Sequence, residues 1–350
     1  MKITLPAPGG TLQPYRLAPP RAWPVSAAPI RGRIAYAAAH VVADPAGDPA
    51  DPVPSLDWTV TSTLIRRTAE AAKDYADPAE LVAGGAGTDH ARDAGTLDAI
   101  VAAYLEQAET VRAAGASVVL MASRELARVA RGPDDYLRVY TRVLEQADRP
   151  VIVHWLGEMF DPLLAGYWGS RDLGVAARTV LDLVTANAAR VDGIKVSLLD
   201  ADREIALRAA LPPSVRLYTG DDFSYPALIA SGSDALLGIF DAIAPAAAAA
   251  LRRLDDGDAA GYEEILAPTV PLARTVFEAP TCNYKTGLVF LAWLAGHQDA
   301  FVMVRGAQSA RSLPHLAAVF RLADRAGLLP DSELAARRMA TLLAQYGITR

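Results

Sequence analysis

The 350-residue sequence predicts an α/β fold, a (β/α)8 TIM barrel with a C-terminal helical extension. Three observations carry that reading. Short apolar runs of strand composition alternate with amphipathic helical stretches between residues 80 and 240, the pattern of a parallel sheet covered by helices. The chain is 52% hydrophobic, enough to fill one large core. Polar residues follow the apolar runs, and the C-terminal ends of the strands are where such a barrel keeps its active site.

Residues 1–30 are rich in proline and lack periodicity, so they are expected to be an extended N-terminal lead-in. The barrel is expected over 31–241 and a helical region packed on it over 242–350. RGRIAYAA (31–38) is the first expected strand, and ADPAGDPADPVPSLD (43–57) reads as a Pro/Asp loop. A helical pattern runs from Thr61 to Tyr75. Further strands are expected in ELVAGGA (80–86), ASVVLMA (116–122), PVIVHWL (150–156), VDGIKVS (191–197), VRLYTG (215–220) and DALLGIF (234–240). Helices are expected over 97–114, 133–147 and 174–189, and then over 242–254, 259–278, 284–296, 312–327 and 331–347. This makes seven strands where a closed barrel needs eight. The gap falls between residues 39 and 79: either Trp58 to Leu64 supplies the missing strand or one βα unit is lost. An open doubly wound sheet is the alternative architecture.

Composition excludes several classes. The net charge is −6, without blocks of like charge, so no nucleic-acid or anionic-membrane partner is expected. The first residues, MKITLP, lack a secretory pattern. The most apolar run, Leu236 to Leu251, is broken by Asp241 and Pro245 and is too short to span a bilayer. One cysteine, Cys282, gives neither a disulfide framework nor a cysteine zinc site. A cytoplasmic setting and a small-molecule substrate are expected.

The expected mouth residues are His40, Thr88, Asp89, His90, Ser123, Arg124, His154, Glu158, Lys195, Ser197, Asp221, Asp222 and Asp241. Lys195 is the sharpest of them. Only four of the 34 basic residues are lysines, and this one lies inside an apolar strand. Ile194 and Val196 flank it on the opposite face, so Lys195 and Ser197 point the other way. Desolvation lowers the pKa of an amine, and the free amine can attack a carbonyl to form an iminium, an electron sink for a neighbouring C–C bond. The competing role is a buried ion pair with Asp221 or Asp222. His154 is either a proton relay, since imidazole titrates near neutrality, or a hydrogen-bonded residue of the barrel mouth. The aromatic-rich segment HWLGEMFDPLLAGYWGS (154–170) suits sugar rings or, equally, a lid or subunit contact.

VDGIKVSLLD (191–200) resembles the Schiff-base lysine strand of the dihydrodipicolinate synthase / N-acetylneuraminate lyase superfamily of class I aldolases. YTGDDFSYPALIASGSDALLGIF (218–240) is similar to that family's Gly-Asp-Asp segment and final strand. RPVIVHWLG (149–157) sits where the family has its tyrosine-bearing strand, and Asn283-Tyr284-Lys285 resembles the start of its C-terminal helix. Much of the chain looks closer still to the DUF993 branch. The resemblance implies an aldolase or lyase acting on a sugar-derived keto or 2-oxo acid substrate, without a cofactor, in a homo-oligomer. It implies Lys195 as the covalent residue and His154 or Tyr167 as the proton relay, Tyr167 lying 28 residues before the lysine. Thr88, Asp89, Ser197, Asp221, Asp222, Gly238 and Asp241 are the expected substrate-binding residues. GGAGTD (84–89) is the nearest counterpart of the family's carboxylate-binding loop, one βα unit late. Two alternatives stay open. One is a metal-dependent sugar lyase or isomerase with His154, Glu158, Asp89 and Asp221 around a divalent ion. The other is a non-catalytic ligand-binding barrel.

Overall fold

The computed structural model describes residues 2–7, 9–24, 30–47, 82–91 and 93–349. The helix expected over Thr61–Tyr75 and the candidate strand at Trp58–Leu64 lie outside the described residues. Two compact units divide the chain, one of residues 1–64 and 237–350, the other of residues 65–236.

The first unit opens with an antiparallel ribbon of β1 (Lys2–Pro6) and β2 (Leu12–Arg16), so the lead-in is more ordered than its proline content suggests. Strand β3 is only Ala35–Ala37, shorter than expected. The backbone N–H groups of Arg31 and Gly32 are taken by the Asp255 carboxylate at 2.6 and 2.8 Å, which removes them from any ladder. After β3, the Ala38 N–H donates to the Leu237 carbonyl at 2.9 Å.

The second unit holds the regular alternation. Its elements are β4 (Ala83–Ala86), α1 (Leu97–Ala113), β5 (Ser117–Leu120), α2 (Arg124–Val129), α3 (Pro133–Leu144) and β6 (Val151–Leu156). They continue with α4 (Leu173–Ala186), β7 (Val191–Ser197), α5 (Ala201–Ala210), β8 (Arg216–Thr219), α6 (Tyr225–Ala230) and β9 (Asp234–Leu237). The helices start where side chains satisfy their free N–H groups: Thr96 accepts from Ala99, Ser123 from Leu126, Asp172 from Gly174 and Val175, and Asp200 from Arg203.

Strands β4 to β9 lie side by side in sequence order, each registered pair parallel. A doubly wound sheet reverses its order in the middle. This one does not: from β4 to β9 the strands keep the order of the chain. The order is that of a (β/α) barrel.

Alternate side chains of the strands face the helices. Val118, Leu120, Val153, Trp155, Ile194, Val196 and Leu217 join Ile100, Tyr104, Val139, Tyr140, Val180 and Leu183 in one core cluster. Each such side chain contributes about 1.5–3 kcal/mol by leaving water. The other face carries Ile152, His154, Lys195, Ser197 and Tyr218.

The rest of the first unit is helical, as expected: α7 (Phe240–Asp255), α8 (Ala259–Leu266), α9 (Val270–Val276), α10 (Tyr284–Leu294), α11 (Leu313–Arg325) and α12 (Ser332–Gln345). The single helix expected over 259–278 is broken between α8 and α9, where Pro268 and Pro271 each lack the N–H a continuous helix needs. The run 234–240 is likewise shorter as a strand, because the chain turns at Gly238 into α7. No helix among the described residues is long and apolar enough to cross a membrane.

Candidate functional site

The site in the second unit is built on one row across three strands. His154 on β6 is the register partner of Lys195 on β7, and Lys195 is the partner of Tyr218 on β8. Register partners in a parallel pair share a face of the sheet, so these three side chains lie on the same side. Ser197 lies two residues beyond Lys195 on that face, toward the C-terminal end. Lys195 is partly exposed, whereas His154 and Tyr218 are buried.

Two glycines shape the room around the lysine. The Gly220 N–H donates to the Val196 carbonyl at 2.7 Å, drawing the end of β8 against β7. A Cβ at Gly220 would stand 2.2 Å from Ser197 Oγ, 2.8 Å from the Val196 carbonyl oxygen and 3.0 Å from Lys195 Cε. A Cβ at Gly193 would stand 2.6 Å from the Tyr218 ring, whose hydroxyl donates to Asp192 at 2.6 Å. The glycines are therefore needed for close approach.

His154 has one partnered ring nitrogen. Its Nε2 is 3.0 Å from Ser197 Oγ, and its buried Nδ1 has no hydrogen-bond partner. Burial, and then the positive charge of Lys195, hold its pKa well below the usual histidine value of 6.5. The ring is a neutral imidazole beside an amine.

The segment after β8 supplies carboxylates. Asp221 and Asp222 are both buried. Asp221 Oδ1 accepts from the N–H groups of Phe223 and Ser224 at 2.8 and 2.9 Å, which fixes the turn into α6. Behind the turn, Glu204 on α5 is also buried; the hydroxyls of Thr219 and Ser233 donate to it at 3.0 and 3.1 Å. Desolvation pushes its carboxyl up to about 8.

A second polar group sits after β4 and β5. Thr88 Oγ1 and Ser123 Oγ are 2.6 Å apart, and the Ser123 N–H donates to the Tyr167 hydroxyl at 2.9 Å. The Tyr167 and Tyr140 hydroxyls are 2.8 Å apart, and Tyr104 donates to the Met121 carbonyl at 2.6 Å. Burial raises the pKa of Tyr167 well above 10, and its ring lies among Tyr136 and Trp168. Tyr167 is thus a core residue whose hydroxyl is already engaged by Ser123 and Tyr140. Trp155 and Trp168 are buried as well, so neither offers an open face to a sugar ring.

Asp89 is 3.2 Å from Arg124, which also bonds Asp161 at 2.6 Å. Glu158 is exposed. With Asp89 paired to Arg124, Asp221 capping a turn and His154 against Ser197, the four candidate metal ligands do not gather. Among the described residues no three His, Cys, Asp or Glu side chains converge as ligands.

Gly238 and Asp241 belong to the first unit. A Cβ at Gly238 would meet Phe277 Cζ at 2.7 Å, so the glycine permits packing. Asp241 Oδ2 is 2.6 Å from His40 Nδ1, and His40 Nε2 is 2.8 Å from Gln298 Oε1. The Gln298 amide donates to the Ala300 carbonyl at 2.6 Å, which fixes its oxygen toward the histidine. His40 therefore donates from both ring nitrogens, the state of an imidazolium.

Sequence reasoning missed Glu204, Tyr218 and Gln298. Glu204 sits in a polar-looking helical stretch, ADREIALRAA, and nothing local distinguishes it from the exposed Asp202 two residues earlier. Gly220, next to two aspartates, carried a readable signal of close approach.

The comparisons bear on the whole chain. A family model described as a protein of unknown function (DUF993) matches residues 3–55 and 46–348. The chain belongs to that family. It is similar in structure to the dihydrodipicolinate synthase of Oceanobacillus iheyensis, with 15% identity over 90% of this chain and 97% of that one and a TM-score of 0.53. It is also similar to a monomeric dihydrodipicolinate synthase variant, with 16% identity over 85% and 97% of the two chains and a TM-score of 0.58. For the 4-hydroxy-tetrahydrodipicolinate synthase of Methylacidiphilum fumariolicum the figures are 16%, 83% of each chain and 0.54. At these identities the likeness concerns the fold, a (β/α)8 barrel with a helical C-terminal extension. No curated protein matches the sequence.

Proposed function

We propose that this chain is a class I aldolase or lyase that makes or breaks a C–C bond in a sugar-derived keto or 2-oxo acid substrate through a Schiff base on Lys195. The observation that carries the reading is the pairing of a partly exposed lysine with a buried neutral imidazole on the adjacent strand. Burial first, and the charge of Lys195 second, keep His154 a neutral imidazole, so an uncharged ring stands beside the lysine.

In this reading the Lys195 amine attacks the substrate carbonyl carbon, and the carbinolamine loses water to give the iminium. The iminium accepts the electron pair of the bond between the neighbouring carbon and the next one along. That bond breaks, leaving an enamine on Lys195 and releasing the far fragment as a carbonyl compound whose hydroxyl proton goes to the relay; in reverse the enamine adds to a second carbonyl. His154 relays the protons through the position shared with Ser197 Oγ. We assign the relay to His154 and not to Tyr167, whose hydroxyl is engaged within the aromatic core. Thr88, Asp89, Ser197, Asp221 and Asp222 remain the proposed substrate-binding groups of this unit, serving the hydroxyls of a polyol chain as acceptors.

The test is reduction with borohydride in the presence of 2-oxo acids and keto sugars, followed by peptide mass spectrometry. Wild type is expected to gain the reduced substrate mass on Lys195 and K195A to gain none. Equal labelling of both, or no label with a substrate the enzyme turns over, rejects the mechanism.

A further inference from the structure

Glu204 is a buried carboxyl that the proposed chemistry does not use. Its two acceptor oxygens are each met by a hydroxyl: Thr219 Oγ1 donates to Oε2 and Ser233 Oγ to Oε1. Both hydroxyls are themselves acceptors. The Asp221 N–H donates to Thr219 Oγ1 at 3.2 Å, and the Arg208 guanidinium donates to Ser233 Oγ at 2.8 Å. Each hydroxyl has one hydrogen, and here both hydrogens go to Glu204. The arrangement uses both carboxyl oxygens as acceptors, which is the bonding of a carboxylate. A protonated carboxyl would have to donate, and the Thr219 or Ser233 hydroxyl would have to turn away.

Thr219 leads directly to the lysine. It is the register partner of Val196, and the next residue, Gly220, bonds the Val196 carbonyl and lies against Lys195 Cε. Whatever moves Thr219 moves the surface on which the lysine side chain rests.

We propose that Glu204 is a positioning residue for Lys195: ionised, it holds Thr219 and the 220–222 turn against β7, and protonated, it releases them. The reach of the Lys195 amine then depends on pH. The charged groups that face Glu204 are Arg208, one turn along the same helix, and Asp221, from the turn after β8. Burial opposes ionisation most strongly, Asp221 adds to that, and the hydroxyl bonds with Arg208 favour ionisation. The balance places the change near neutral to mildly basic pH, with the carboxyl pushed up to about 8.

This inference rests on the Schiff-base reading only for its catalytic consequence, and its test avoids carbonyl chemistry. Labelling by trinitrobenzenesulfonate reports the reactivity of an amine whether or not it forms an iminium. With only four lysines in the chain, mass spectrometry can follow Lys195 alone between pH 6.5 and 9.5. Wild type is expected to show an inflection near pH 8 in addition to the titration of the amine. E204Q should lose that inflection while its thermal unfolding midpoint stays near wild type. T219V, which keeps the carboxyl but cuts its link to the turn, should lose it too. A single inflection in wild type, or a variant profile that superimposes on a two-step wild-type profile, overturns the proposal. If borohydride trapping fails while the two-step labelling persists and E204Q abolishes it, the Schiff-base reading is rejected and the role of Glu204 stands.

Discussion

His154 and Lys195 are register partners on adjacent parallel strands, and the imidazole is the more buried of the two. That order has an energetic consequence. The folded chain keeps His154 neutral to well below 6.5, while in the unfolded chain it takes a proton near that value. Below about pH 6.5 the unfolded state binds more protons, so stability falls as the pH drops. The contribution of one such group is at most about 1.4 kcal/mol per pH unit. Urea unfolding between pH 7.5 and 5.5 should show this slope in wild type and a flatter one in H154N, which in addition should lose most of the trapping rate.

Tyr167 offers the contrasting case. Y167F removes the hydroxyl that accepts from the Ser123 N–H and meets Tyr140. The expected cost is about 1–3 kcal/mol of stability, that of leaving a buried donor unsatisfied. Trapping on Lys195 should remain within a few-fold of wild type. A loss comparable to that of H154N, in a variant that stays folded, would return the relay to the tyrosine.

Gly220 is the backbone position on which the lysine leans. G220A would press a methyl group into Ser197 Oγ, the Val196 carbonyl oxygen and Lys195 Cε, of which the carbonyl is a backbone atom with little room to give. We expect a stability loss of about 1–3 kcal/mol from overpacking. The larger effect should be on the Lys195 labelling and trapping rates, because the lysine side chain has to move. Wild-type rates in a folded G220A protein would show that the contact has no bearing on the amine.

The His40–Asp241 pair in the other unit has the opposite pH signature. Burial alone would lower the histidine pKa, but the hydrogen bond and charge of Asp241, with the bond to Gln298, raise it above 6.5. Its stabilisation is fully present below about 6.5 and is lost as the pH rises through the raised value. D241N leaves a buried imidazolium without its anion, at an expected cost of about 3–5 kcal/mol. Calorimetric melting at pH 6 and 8.5 checks both points: the D241N deficit should be larger at pH 6. A deficit that is larger at pH 8.5 would contradict the assigned charge state.

The strand positions were legible because burial on both faces leaves continuous apolar runs, and one lysine inside such a run stands out. VDGIKVS and PVIVHWL were read with their boundaries nearly right for this reason. The errors fall where a partner distant in the chain competes for the backbone. Arg31 and Gly32 do not enter β3 because Asp255 holds their N–H groups. Tyr167 has a spacing that suits a relay, yet its hydroxyl bonds Ser123 and Tyr140, at separations of 44 and 27 residues.

By itself, the order of amino acids determined which segments between residues 80 and 240 are strands, that they alternate with helices, and that Lys195 and Ser197 share a face opposite Ile194 and Val196, but not the β1–β2 ribbon of the lead-in. Those properties follow from local periodicity, since a strand alternates its side chains whatever surrounds it. The tertiary structure alone decided that His154 stands beside the lysine as a neutral ring, that Glu204 is buried behind Thr219, and that Tyr167 belongs to the core. Charge state and hydrogen bonding depend on burial and on neighbours brought in from other strands and helices, and no window of sequence contains those neighbours.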